Sequence, residues 1–150
     1  MTIEVDQSGK IENTSVITIL AFSNHVNDYV YIKPLCKRSL KRYLKEKQKT
    51  RSYVYKTFSV LLYLLIKRNN LKSDIYVDLE YPGNMAIIKS NLFRIFKKYK
   101  YNQNNISIYF KNIGKKSRAH YLAINQYRAR KHCKNKEVSL TEILKIIDGI

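Results

Sequence analysis

Tryptophan is absent from this chain, cysteine and proline occur twice each, and glycine four times. Cys36 and Cys133 form no C-x-x-C pair, and the opening MTIEVDQSGK lacks the apolar run of a secretory signal, so a reducing, cytoplasmic setting is expected. No long hydrophobic run occurs either. The most extended one, FSVLLYLLI from Phe58 to Ile66, is far below the roughly 20 residues that cross a bilayer, and basic residues flank it. It reads as a core helix, and no membrane partner is expected. Most of all the chain is short of acids. Asp and Glu number 11 against 29 Lys and Arg, a formal net charge of +18.

That imbalance is segregated along the chain. Tyr81 to Lys136 holds fourteen Lys and Arg and no acid, and Tyr29 to Ser73 holds thirteen against Glu46 alone. Codon bias toward Lys would raise Glu as well, yet only six Glu are present. Long stretches of one sign forgo the i,i+4 ion pairs that stabilise solvated helices, so a polyanionic partner, DNA or RNA, is the expected neutraliser. The bland alternative is a solvated basic surface. Thirteen tyrosines strengthen the first reading, because many adjoin cations, as in RSYVYK from Arg51 and KYKY from Lys98, a pattern suited to stacking bases while cations hold phosphates. Tyrosine is also an ordinary strand residue.

With 150 residues the chain fits one domain able to bury its own core. Residues 1–14 show no sustained apolar period and read as a mobile tail before a single domain over 15–150. Val16 to Phe22 and Tyr29 to Lys33 read as a strand hairpin stopped by Pro34. A basic amphipathic helix follows over Leu35 to Lys47, whose narrow apolar side (Leu40, Tyr43, Leu44) suits a membrane surface poorly. Arg51 to Arg68 reads as the most buried helix. Asp74 to Glu80 alternates as a strand with Ile75, Val77 and Leu79 inward, and Met85 to Tyr99 as a helix on Ile87, Ile88, Leu92, Ile95 and Phe96. A strand over Ile106 to Phe110, a helix over Arg118 to Lys131 facing inward with Ala119, Leu122, Ala123 and Tyr127, and a final helix over Leu140 to Ile147 opened by the capping box SLTE complete the order. Strands separated by helices imply an α/β fold with a mixed sheet of about four to five strands covered by helices.

For chemistry, His25, His120 and His132 with the two cysteines reproduce no structural zinc spacing, and no hydrolase elbow or kinase signature is present. IGKKS, Ile113 to Ser117, lies at a strand-to-helix junction where Lys115, Lys116, Ser117 and Arg118 could hold a phosphate; plain capping by Ser117 is the alternative. It is no Walker loop, since Tyr109 stands where that motif needs Gly. With Lys37, Arg38, Lys41 and Arg42 of the basic helix and Arg128 and Arg130 further on, these are the candidate nucleic-acid contacts. Asp74, Asp78 and Glu80 are the only acids across the middle of the chain. Two carboxylates at i and i+2 of a strand lie about 7 Å apart on one face and could share Mg²⁺ or Mn²⁺. A merely wet strand face is the alternative.

An opening hairpin, a later strand ending in an acid (Glu80 in VDLEYPG) and the strand-helix unit ISIYFKNIGKKSRAHYLA together resemble the ribonuclease H-like superfamily, which includes Holliday-junction resolvases and transposase cores. The resemblance spans about residues 16–131. It implies divalent-metal-dependent cleavage of DNA or RNA, with Asp78 and Glu80 as metal ligands and catalytic groups and His120 as a proton-transfer or phosphate-contacting group. That family carries an Asp on its first strand, where Val16 to Phe22 has none, and a third strand in its opening meander. The expected function is therefore nucleic-acid binding through a basic surface with interleaved tyrosines, extended to a metal-dependent nuclease. The competing function is a non-enzymatic packaging or ribonucleoprotein component.

Overall fold

The computed structural model describes residues 2–148 and residue 150. Five strands form one mixed sheet: β1 (Thr2–Ser8), β2 (Thr18–Ser23), β3 (Asn27–Ile32), β4 (Asp74–Asp78) and β5 (Ser107–Lys111), ordered β3-β2-β1-β4-β5. β2 pairs antiparallel with both β1 and β3, while β4 runs parallel to β1 and to β5. Between and after the strands come α1 (Pro34–Glu46), α2 (Tyr53–Asn69), α3 (Met85–Lys98), α4 (Arg118–Arg128) and α5 (Leu140–Ile147). The α/β class and the mixed sheet are as the sequence leads one to expect.

The segment expected to be a mobile tail is instead the central strand. In β1, Ile3 and Val5 face the main core and are almost fully buried, while Glu4 and Asp6 point to the opposite face. Apolar content is low because the face bearing Glu4 and Asp6 is polar, and those two side chains meet α4 rather than open solvent. Gly9 ends the strand at φ +80, and a Cβ there would collide with the Ile17 carbonyl oxygen, so the chain can reverse toward β2 only with glycine. Thus the opening meander has three strands.

Two apolar layers flank the sheet. On one side Leu20, Phe22, Val30, Ile75, Val77 and Ile108 pack against α2, α3 and α5, and α2 is buried on all sides from Thr57 to Ile66. On the other side α4 lies across β1 and β2, with Ala123, Leu122 and Tyr127 against Ile19, Ala21, Tyr29 and Tyr31. Pro34 starts α1 at its first position, and Leu40 and Leu44 turn into the core, so its apolar stripe is used internally. Ile87, expected inward, is 49% exposed; Ile88, Leu92, Ile95 and Phe96 carry the buried side of α3. α4 ends at Arg128 rather than Lys131, where Ala129 is extended and His132 Nε2 comes 2.7 Å from the Gln126 carbonyl oxygen. Ser139 accepts from the Glu142 amide and caps α5 as its spacing predicts. Among the described residues, no helix is long and apolar enough to cross a membrane.

Candidate active site

β1 and β4 are parallel neighbours in register at Val5 and Val77, which places Asp6 and Asp78 one step further along, side by side. β4 ends at Asp78, two residues short of its expected end. Leu79 still donates to the Lys111 carbonyl (3.1 Å), but the Glu80 amide turns back to the Asp78 carbonyl (2.9 Å). Glu80 is therefore not an i+2 residue on a flat strand face; a tight turn folds it back toward Asp78. Ligand oxygens of Asp6, Asp78 and Glu80 all lie within 4.8 Å of one another. This is closer than the strand spacing alone provides.

α4 supplies the fourth group. Ser117 accepts from the Ala119 amide (3.2 Å), capping the helix, and donates to Glu4 Oε1 (2.9 Å), which ties the helix start to β1. One turn on, His120 Nδ1 lies 2.7 Å from Asp6 Oδ2, while Asp6 Oδ1 accepts from the Gln7 amide at 2.9 Å. Asp78 Oδ1 accepts from the Ile113 amide at 3.1 Å, which fixes it from the β5 side. Asp6, Asp78, Glu80 and His120, with Gln7, Asn112, Gly114 and Lys115, surround a pocket of about 330 Å³. Gln7 is 7% exposed, and its Oε1 has no hydrogen-bond partner among the described residues.

Electrostatics of the cluster follow from packing three carboxylates together. Burial pushes the Glu80 carboxyl up to about 7, with the Asp6 and Asp78 charges adding to it and Lys10 opposing. Burial also raises Asp6, the His120 contact pulls it back, and Asp78 raises it again. Three mutually repelling acids held this close in a folded chain are costly unless a cation is shared among them. All three offer hard oxygen donors, the set that suits Mg²⁺ or Mn²⁺ rather than a thiophilic metal.

No family model, curated protein or solved structure matches this chain. The site is therefore read from its own residues. Asp78, Glu80 and His120, singled out from the sequence, converge, and Lys115 joins their pocket. Asp6 lies outside the residues singled out from the sequence, because the low apolar content of residues 1–14 reads as a tail; the alternation Ile3-x-Val5 around Glu4 and Asp6 is the signal that marks it.

The other expected contacts fall in three places. Arg38, Lys41, Arg42 and Lys45 line a shallow groove of about 280 Å³ on α1, with Arg38 anchored to the Thr14 carbonyl at 2.9 Å. Lys116, Ser117 and Arg118 border a separate recess of about 670 Å³ beside Glu4 and His25. Ser117 is committed to its cap and to Glu4, so capping is the role the structure gives it. Arg128 is exposed at the far end of α4, about 12 Å along the helix from His120 at 1.5 Å per residue, and Arg130 is exposed just beyond the helix.

Lys37 is a correction. It is fully buried, and its ammonium donates to the Lys10 and Asn13 carbonyls (3.2 and 2.8 Å) and to Thr18 Oγ1 (2.8 Å), so it holds a loop and touches no phosphate. Tyr53 is likewise internal, 2% exposed, with its hydroxyl on the Ile11 carbonyl. The tyrosine-cation run at Arg51 to Lys56 thus serves packing at that position.

Proposed function

We propose that this protein is a nucleic-acid-binding, divalent-metal-dependent nuclease. The observation that carries the reading is the convergence of Asp6, Asp78 and Glu80 within 4.8 Å, with His120 on Asp6, in a chain of net charge +18. The ribonuclease H-like resemblance asks for a three-stranded opening meander and an Asp on its first strand. β1 to β3 and Asp6 answer both requirements.

In this reading Asp6, Asp78 and Glu80 are the ligand set for Mg²⁺ or Mn²⁺, an ion that activates water and offsets charge on the leaving oxygen of a phosphodiester. Asp6 and Asp78 are preset by backbone amides that each donate to one carboxylate oxygen, so little reorganisation accompanies binding. Glu80 must release its proton to act as a ligand, and binding of the ion therefore strengthens as pH rises through about 7. His120 orients Asp6 and stands at the pocket as a proton acceptor or donor for the reacting oxygens. Lys115 at the pocket wall draws the phosphate in, and the cations of α1 hold backbone further away.

Two measurements test this. A mixed-sequence duplex, a single strand and a branched substrate should be cut when Mg²⁺ or Mn²⁺ is supplied and left intact in chelator. Binding in chelator should weaken steeply with salt, and Lys115→Ala with Lys116→Ala should flatten the log-log slope by about one to two units for unrelated sequences. Salt-dependent binding without cleavage under any divalent ion would leave the packaging or ribonucleoprotein function in its place. Salt-independent binding, or none, would remove both.

A further inference from the structure

α4 covers β1 and β2 on the acid-cluster side of the sheet and touches β3, leaving β4 and β5 with an open face there. Polar and aromatic residues of the two strands stand on it in register: Tyr76 opposite Tyr109, then Asp78 opposite Lys111. The two tyrosine rings are stacked, 5.2 Å between centroids and 22° between planes, and Lys111 Nζ lies 4.3 Å from the centroid of the Tyr76 ring. Tyr109 is 47% exposed. Because β5 is the edge strand, the Tyr109 ring has Tyr76 on one side and no strand on the other.

We propose that Tyr109, backed by Tyr76, is a stacking platform for an unpaired base, so that the nuclease engages its substrate at a single-stranded or unpaired stretch. The inference rests on the nuclease reading and specifies its substrate class. A base laid on the outer face of Tyr109 becomes the third member of an existing aromatic stack, at no cost in ordering the first two rings. Its backbone then meets Lys111 and Lys115, both exposed, and the acid cluster lies one strand over and one pleat along, roughly 8 Å away from strand spacings of about 4.8 and 3.3 Å. Paired bases cannot enter this arrangement, because their faces are already stacked within the duplex. A plain wet strand face accounts for the tyrosines' position, but not for a bare aromatic surface flanked on its own strand by Ser107 and Lys111 and leading, past Lys111, to three carboxylates.

The platform is tested with Tyr109→Thr, which keeps β-propensity and removes the ring, and Tyr109→Phe, which keeps the ring. Binding of single-stranded and duplex oligonucleotides, as DNA and as RNA, is measured in chelator, with 2-aminopurine fluorescence reporting stacking. Tyr109→Thr should lose about tenfold in single-strand affinity and the fluorescence quench, hold its duplex affinity within about twofold, and melt like the parent, while Tyr109→Phe behaves as the parent. Equal losses on both substrates, or unchanged single-strand binding by Tyr109→Thr, would overturn the platform. Failure of the parent to cleave with any divalent ion overturns the nuclease reading instead, and the affinity difference between single strand and duplex still decides the platform.

Discussion

Asp6→Asn is expected to lower Mg²⁺-supported cleavage by at least about a thousandfold, roughly 4 kcal/mol of transition-state stabilisation, while nucleic-acid binding is kept or tightened. The amide preserves the shape of the side chain and can still accept from the Gln7 amide, but it contributes no charge to a shared ion. Binding tightens because each carboxylate removed is one fewer negative charge facing phosphate. Asp78→Asn and Glu80→Gln should behave alike, since all three acids occupy one cluster. His120→Ala should lose less, because it acts on Asp6 and on protons rather than as one of the three carboxylates. Initial rates on a labelled oligonucleotide, with binding measured in chelator, separate the two effects. Cleavage by Asp6→Asn at the parent rate would place the chemistry elsewhere.

Lys37→Met is the substitution expected to cost most in stability, about 3 kcal/mol. Its ammonium closes the loop that joins β1 to β2 by donating to two carbonyls and a hydroxyl in a region from which solvent is excluded. Methionine fills the volume and leaves those three acceptors unpaired. In a domain this size the loss should lower Tm by about 10 °C. The pH dependence carries a distinct signature. Burial lowers the Lys37 pKa to about 8 from its ordinary 10.5, so the folded chain binds fewer protons than the unfolded one between those values. Stability from this group therefore rises as pH increases from about 8 to about 10.5. The stability difference between parent and Lys37→Met should widen over that window, a comparison in which titration of the buried tyrosines cancels. Chemical denaturation at pH 7.5 and 10 provides the check, and a difference that stays constant would mean that Lys37 titrates normally.

Strongly patterned elements were legible in the sequence. α2 is apolar nearly all round and is the most buried helix, and α5 is capped by Ser139, which accepts from the Glu142 amide. β1 was not legible, because five of its seven residues are polar, two of them for reasons that lie far away in sequence: Glu4 meets Ser117 and Asp6 meets His120. Both neighbours of β1 are also supplied by later segments of the chain. Asp78 and Glu80 stood out because acids are rare in that part of the chain. Asp6 did not, since it lies between Glu4 and Glu12 in a segment read as a tail. Lys37 shows the reverse error. Charge suggested an exposed contact, whereas its spacing from Leu40 and Leu44 puts it on the buried stripe of α1, so helical period and not residue type held the answer.

The site also explains a local tension in the fold. Three carboxylates and a buried, unpartnered Gln7 oxygen gather at one end of the sheet, where the Glu80 carboxyl is raised by burial and by its neighbours. Natural chains tolerate such unfavourable polar clusters chiefly where function requires them. Here the main core on the opposite face of the sheet, built on α2, supplies stability that does not depend on the site.

The position of Mn²⁺ in crystals of the protein tests the central claim most directly. Anomalous scattering should place an ion about 2.0–2.6 Å from carboxylate oxygens of Asp6, Asp78 and Glu80, and the Asp6→Asn protein treated identically should lose or weaken that peak. No ion at the cluster at millimolar Mn²⁺, or an ion bound elsewhere while cleavage proceeds, would contradict the account.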